Sequence, residues 1–203
     1  MSNDTGQLLL FGFGGMVAIL FTWYVFWGSQ DAWNKPFRKV AQRTGLVYGQ
    51  PRVDPTTIGY MRHCLEGMLG PIGITLETFR LANSPRAGIR GFTVLSVRTA
   101  CQTPGNIVLE TDARGRPAQF PLFATGDQRF DYVRQVGSPN PEAARRLLSP
   151  HVIAALFNKS GWEAYTIQYE SGIVRCRWPE FLWEEKHIDD ALRLAQALAT
   201  VQV

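Results

Sequence analysis

Between Leu8 and Gly28 the chain reads LLLFGFGGMVAILFTWYVFWG, with no charged residue and little that is polar beyond Thr22. At about 1.5 Å per residue, a helix over this run would cover roughly 32 Å, enough to cross a hydrocarbon layer of about 30 Å. Lipid offers backbone N–H and C=O groups no partners, and a helix satisfies them internally. The expectation is one transmembrane helix over 8–28, preceded by a short extracytoplasmic tail over 1–7. A secretory signal peptide is the rival reading. It calls for a basic leader and a small-residue cleavage site, whereas MSNDTGQ holds no Lys or Arg and the run ends in WYVFWG. A retained anchor fits better.

Charge then suggests an orientation. Every Lys and Arg lies C-terminal to the apolar run, and Lys35, Arg38, Lys39 and Arg43 lie close behind it. The positive-inside rule would leave the N-terminus outside and the C-terminal part in the cytoplasm of a bacterial inner membrane. Trp23, Tyr24, Trp27 and Trp33 cluster at the same end, where amphipathic rings favour the headgroup zone. With the four cations they form an expected headgroup interface, and anionic lipid is the expected partner. Gly14, Ala18 and Thr22 recur every four residues, a ladder of small side chains that would let a transmembrane helix of a larger complex approach. The run offers no side-chain ligand for haem or chlorophyll, and no cofactor is expected.

The whole chain carries 21 basic residues against 17 acidic ones. After the juxtamembrane cluster the arginines are scattered along the chain rather than gathered in a recognisable motif, so nucleic acid is not an expected partner. Cys64, Cys101 and Cys176 are far apart and form no C-x-x-C, which suits a reducing compartment and apolar packing in strands.

Pro36 suits the first turn of a short amphipathic helix. Phe37, Val40 and Ala41 would lie on one face, and Gly45 would close it within a juxtamembrane segment over 29–45. From Leu46 to about residue 124 the texture is β-rich. Thr57–Leu69 and Ile72–Leu81 read as a hairpin about Gly70-Pro71, with further strands over Phe92–Cys101 and Ile107–Thr111. About five strands at this spacing suggest an antiparallel sheet or a small sandwich. Residues 125–203 read as an α+β half. Arg129–Val136 is a candidate strand, Asn140-Pro141 opens a helix carrying Leu147 and Leu148, and Ser149-Pro150 opens another. Glu163–Glu170 and Ile173–Trp178 form a hairpin, and a helix runs from about His187 to Thr200. The expected fold class is therefore α+β: one membrane helix, a β-rich half and an α+β half.

The run TGDQRFD, together with the segment C-terminal to it, resembles a set of bacterial membrane-anchored proteins of uncharacterised function that share G-D-x-x-F-D, an apolar strand and L-L-x-P. Gly126, Asp127, Phe130, Asp131, Leu147, Leu148 and Pro150 carry the match, over roughly residues 120–200. The resemblance implies no catalytic residues.

Asp127 and Asp131 could invite acid–base or metal chemistry, but an EF-hand needs more oxygen ligands and a late Glu. Gly126 and the two aspartates are better read as a structural turn, its carboxylates bonded to backbone N–H groups. His63 stands beside Cys64, and strand alternation would point them to opposite faces. No phosphate-binding, metalloprotease, nucleophile-elbow or kinase motif is present, so neither a catalytic nor a metal site is expected. The leading functional expectation is a non-catalytic accessory or scaffold subunit of a bacterial membrane complex, photosynthetic or respiratory. A stand-alone lipid- or ligand-sensing module and an enzyme without a local motif are the alternatives.

Overall fold

The computed structural model describes residues 15–21, 34–53, 60–81, 91–99, 107–112, 120–157, 164–170, 172–182 and 184–200. The chain divides into two units, Met1–Pro36 and Phe37–Val203.

Within the first unit, residues 15–21 form a helix whose side chains are all exposed. Among the described residues no helix is long and apolar enough to cross a membrane. Seven helical residues rise about 10 Å, a third of the hydrocarbon layer. The expected transmembrane helix over 8–28 is corrected accordingly. So is the single-pass inner-membrane location, with the N-terminus outside and the C-terminal part cytoplasmic, since it rested on that helix. Of the small-residue ladder only Ala18 lies in the described helix; Gly14 and Thr22 fall outside the described residues, as do Trp23, Tyr24, Trp27 and Trp33.

The second unit is built on one antiparallel sheet. A helix over 34–44 (α1), of which this unit holds the part from Phe37 on, leads into β1 (Val47–Val53), β2 (Tyr60–Leu69), β3 (Ile72–Leu81), β4 (Gly91–Arg98), β5 (Ile107–Asp112) and β6 (Leu122–Phe123). Then come α2 (Gln128–Val133), β7 (Gln135–Gly137), α3 (Pro141–Leu147), α4 (Pro150–Phe157), β8 (Ala164–Glu170), β9 (Ile173–Trp178) and α5 (Glu185–Ala199). The strand order is β1-β2-β3-β4-β9-β8-β5-β7-β6. The C-terminal hairpin β8–β9 is thus inserted between β4 and β5, and strands from either side of residue 124 share one sheet rather than forming a sandwich. The insertion fits the β9 pattern: Val174, Cys176 and Trp178 are all buried on the same face and register against Val97, Leu95 and Thr93 of β4. Local alternation marks a strand and its buried face but not its neighbour.

Helices line one face of this sheet. On α1, Phe37 and Val40 are fully buried and Gly45 ends the helix at φ +75°, donating its N–H to Ala41 O at 2.9 Å. Phe37 stacks on Tyr48 and His63, which turns the apolar side of α1 onto β1 and β2. On α5, Ile188, Ala191, Leu192, Leu194, Ala195 and Leu198 are buried, and the helix packs on β3, β4 and α4. Arg43 pairs with Glu185 and Asp189, and Lys39 with Glu185 at 3.5 Å, tying the outer sides of α1 and α5 together.

A buried polar rung sets where the α5 layer begins. His63, Thr78, Thr93 and Trp178 lie side by side across β2, β3, β4 and β9. Thr93 donates its hydroxyl to Glu180 O at 2.6 Å, so the 2.9 Å contact between the two threonines has Thr78 donating to Thr93. Thr78 Oγ1 in turn accepts the Leu182 N–H at 3.2 Å. This chain of three bonds satisfies buried backbone groups of the crossover leading into α5.

The expected strand over Arg129–Val136 is also corrected. Residues 128–133 are helical and only 135–137 pair in the sheet. Gly126 at φ +97° reverses the chain, and Asp127 Oδ1 accepts the N–H groups of Arg129 and Phe130 at 3.0 Å each, the geometry of a helix N-cap. Once these donors are capped, the helix is the lower-energy continuation, and Phe130 alone anchors it in the core.

Candidate functional site

Alternation gives each long strand a second face, and no described helix packs on it. Reading across β2, β3, β4 and β9, one rung holds Met68, Gly73, Arg98 and Ile173. The next holds Glu66, Thr75, Ser96 and Arg175, and the third Cys64, Glu77, Val94 and Arg177. A fourth brings Arg62, Phe79 and Phe92 together. These side chains are half-buried or exposed except Phe79, whereas those of the opposite face are almost all buried.

The far end of this open face is aromatic. Phe79 stacks on Phe92 with ring centroids 4.4 Å apart, Tyr60 leans on Phe92 at 5.6 Å, and the Arg177 guanidinium lies 4.6 Å from the Phe92 centroid. The middle is charged: Arg62 pairs with Glu77, and Arg175 contacts Glu170 at 3.5 Å. The near end is a groove of about 490 Å³. Its floor is made of small residues, Gly73, Thr75 and Ser96, and it is flanked by Val47, Met68 and Ile173, with Arg98 and Glu66 at its edges. Val47 and Met68 are 62 % and 58 % exposed, large for apolar side chains. With the partnered charges set aside, the described side chains of this face retain Arg52, Arg98 and Arg177 against Glu66, so it favours anionic groups.

The buried face holds a titratable pair, His63 and Tyr48, whose burial perturbs both. His63 is fully buried, stacked 5.1 Å from Phe37 and tilted against Phe181 at 5.6 Å, with Tyr48 Oη 3.0 Å from its Nδ1. Burial, with Arg80 nearby, pulls its imidazole down to about 4, so it is neutral at physiological pH. Burial also pushes the Tyr48 phenol up to about 12, against the opposing pull of Arg38 and Arg80. Cys64 points to the open face, and its thiol is pushed up to about 11 by burial despite the neighbouring Arg62. A thiol held protonated is a poor nucleophile, and the sheet stands between it and the imidazole. His63 therefore contributes to the packing of α1 rather than to chemistry with Cys64.

The other residues singled out from the sequence fall elsewhere. Asp131 accepts from Thr125 N–H at 2.9 Å, Thr125 hydroxyl at 2.7 Å and Gly126 N–H at 3.1 Å. Burial raises its carboxyl, and these three bonds together outweigh that and hold it below the usual carboxylate range. Gly126, Asp127 and Asp131 thus form one turn-and-cap unit. No group of three or more metal-ligating side chains occurs among the described residues. Of the four cations expected at a headgroup interface, Lys39 and Arg43 reach the acids of α5, and Lys35 and Arg38 are exposed. Sequence reasoning missed the open face itself. Its signal was the alternation of Arg62, Cys64, Glu66 and Met68 against His63, Leu65 and Gly67, which marks a two-faced strand without showing that only one face would be covered.

No protein-family model matches the chain, and no curated protein matches it either. Among solved structures, the crystal structure of the mycobacterial trehalose monomycolate transport factor A, TtfA, superposes with a TM-score of 0.53 at 16 % identity. The match covers 86 % of this chain and 97 % of that one. The two share a fold.

Proposed function

We propose that this chain is a non-catalytic accessory factor of a membrane-associated, lipid-handling system, and that it works by binding through its open sheet face. The observation that carries the reading is the asymmetry of the sheet. Helices cover one face, while the other presents arginines beside exposed apolar and aromatic side chains, a composition suited to contact with an anionic or amphipathic partner. The fold shared with a protein named as a trehalose monomycolate transport factor supports a lipid-handling host over the photosynthetic or respiratory host expected from sequence. The turn-and-cap roles of Asp127 and Asp131 and the raised thiol of Cys64 favour binding over catalysis.

The test is to purify the tagged full chain from its host's membranes in mild detergent, alongside a variant carrying Arg98→Glu, Arg175→Glu and Arg177→Glu. The reading expects the wild type to co-migrate with membrane components and the folded variant to migrate alone. Migration of the wild type as an isolated monomer, or full retention of its partners by the variant, would overturn it.

A further inference from the structure

From the groove between Met68 and Ile173 we infer a binding site for one acyl chain of a single-chain amphiphile with an anionic head, the head held by Arg98. This rests on the binding role proposed above and names what one part of the open face takes up. Gly73 opens the groove. A Cβ built there would stand 3.6 Å from Arg98 Cβ and 3.8 Å from Met68 Sδ, so a longer side chain would fill the space without meeting backbone. Thr75 and Ser96 keep the neighbouring rung low, while Val47, Met68 and Ile173 supply apolar walls. About 490 Å³ falls within the range of small-ligand sites, roughly 300–1,000 Å³.

The choice of an anionic head rests on charge. Arg98 lies between Gly73 and Ile173 on its rung and makes no ion pair among the described residues. The next cation, Arg175, lies one rung further, its charge shared with Glu170. Glu66 stands on the opposite side of the groove, beyond Thr75 and Ser96 on its own rung. An anion at Arg98 therefore lies beside Arg175, with Glu66 across the groove and Glu170, which registers with Ile173, engaged by Arg175. A head at the other end would face Glu66, so the charges also orient the ligand.

The experiment is calorimetric titration of the full chain with 1-lauroyl-lysophosphatidylglycerol below its micelle threshold, with dodecyl maltoside and phosphatidylglycerol vesicles as comparison arms. Expected is saturable one-to-one binding of the lysolipid, at least tenfold weaker binding of the uncharged maltoside, a tenfold or greater loss in Arg98→Gln, and no measurable binding in Gly73→Leu. Ser96→Leu fills the groove from the next strand and should behave as Gly73→Leu does, which covers the case in which either variant folds poorly. Equal binding by wild type and a folded groove-filling variant would overturn the inference, as would binding to vesicles without binding to the monomeric lysolipid. If the lysolipid fails to bind while the triple arginine variant still loses its membrane partners, the groove is wrong and the accessory role stands. If the partners are kept as well, both fall.

Discussion

Replacing His63 with Gln should flatten the acid side of this protein's stability curve. The imidazole is sealed between Phe37, Phe181 and Tyr48, and its folded value of about 4 lies well below the 6.5 of an exposed histidine. Below pH 6.5 the unfolded chain takes up a proton at this site and the folded chain does not. The stability linked to His63 is therefore complete above about pH 6.5, falls as the pH drops, and levels near pH 4. One proton corresponds to about 1.4 kcal/mol per pH unit, so the full loss is about 3 kcal/mol. Carboxylates such as Asp131 also lower stability in acid, and subtracting the variant's curve from the wild type's removes their share. The assay is urea unfolding of both proteins at half-unit steps from pH 7.5 to 4.5. The wild type should be the more stable at pH 7.5, and the gap should shrink by about 2–3 kcal/mol across the range. Curves that stay parallel to within about 0.5 kcal/mol would show that the imidazole is not buried neutral, and the packing of α1 on β2 would be misassigned.

Other substitutions probe single contacts. Thr78→Val leaves the Leu182 N–H without its acceptor and should cost about 1–3 kcal/mol in chemical unfolding, with faster hydrogen exchange at Leu182. Gly91→Ala would set a Cβ 2.2 Å from Phe79 O and 2.8 Å from Phe181 Cβ, so it should cost about 3 kcal/mol or prevent folding, read by circular dichroism. Asp127→Ala removes the cap of α2 and should cost about 1 kcal/mol, while a binding assay on the folded variant stays unchanged. Gly45→Ala forces a Cβ into the left-handed region and should lower stability by about 1–2 kcal/mol in the same unfolding assay.

Elements with strong local signals were legible. The β2–β3 hairpin about Gly70-Pro71, the cap-and-proline start of α3 at Asn140-Pro141, the β8–β9 hairpin and the period of α5 all lie within a few residues of where the pattern put them. What was not legible depends on partners distant in sequence. The pairing of β4 with β9 joins residues some eighty positions apart, and no feature of FTVLSVR alone selects that neighbour. The segment after Gly126 misled because RFDYV alternates like a strand, while the deciding contacts are the bonds from the Arg129 and Phe130 N–H groups to the Asp127 carboxylate. Among the described residues, the apolar run over 8–28 is represented only by the helix over 15–21. The open face escaped notice for a related reason: a strand pattern shows two faces, and only the helix layer decides which is covered.

Oxidative footprinting of the full chain, before and after addition of the detergent-solubilised membrane fraction it purifies with, reads the working surface directly. Tyr60, Met68 and Phe92 report on the open face, and Tyr132, 91 % exposed on α2, reports from outside it. The account predicts protection of the first three with Tyr132 still oxidised at its original rate. Protection of Tyr132 with Tyr60, Met68 and Phe92 unchanged would contradict it.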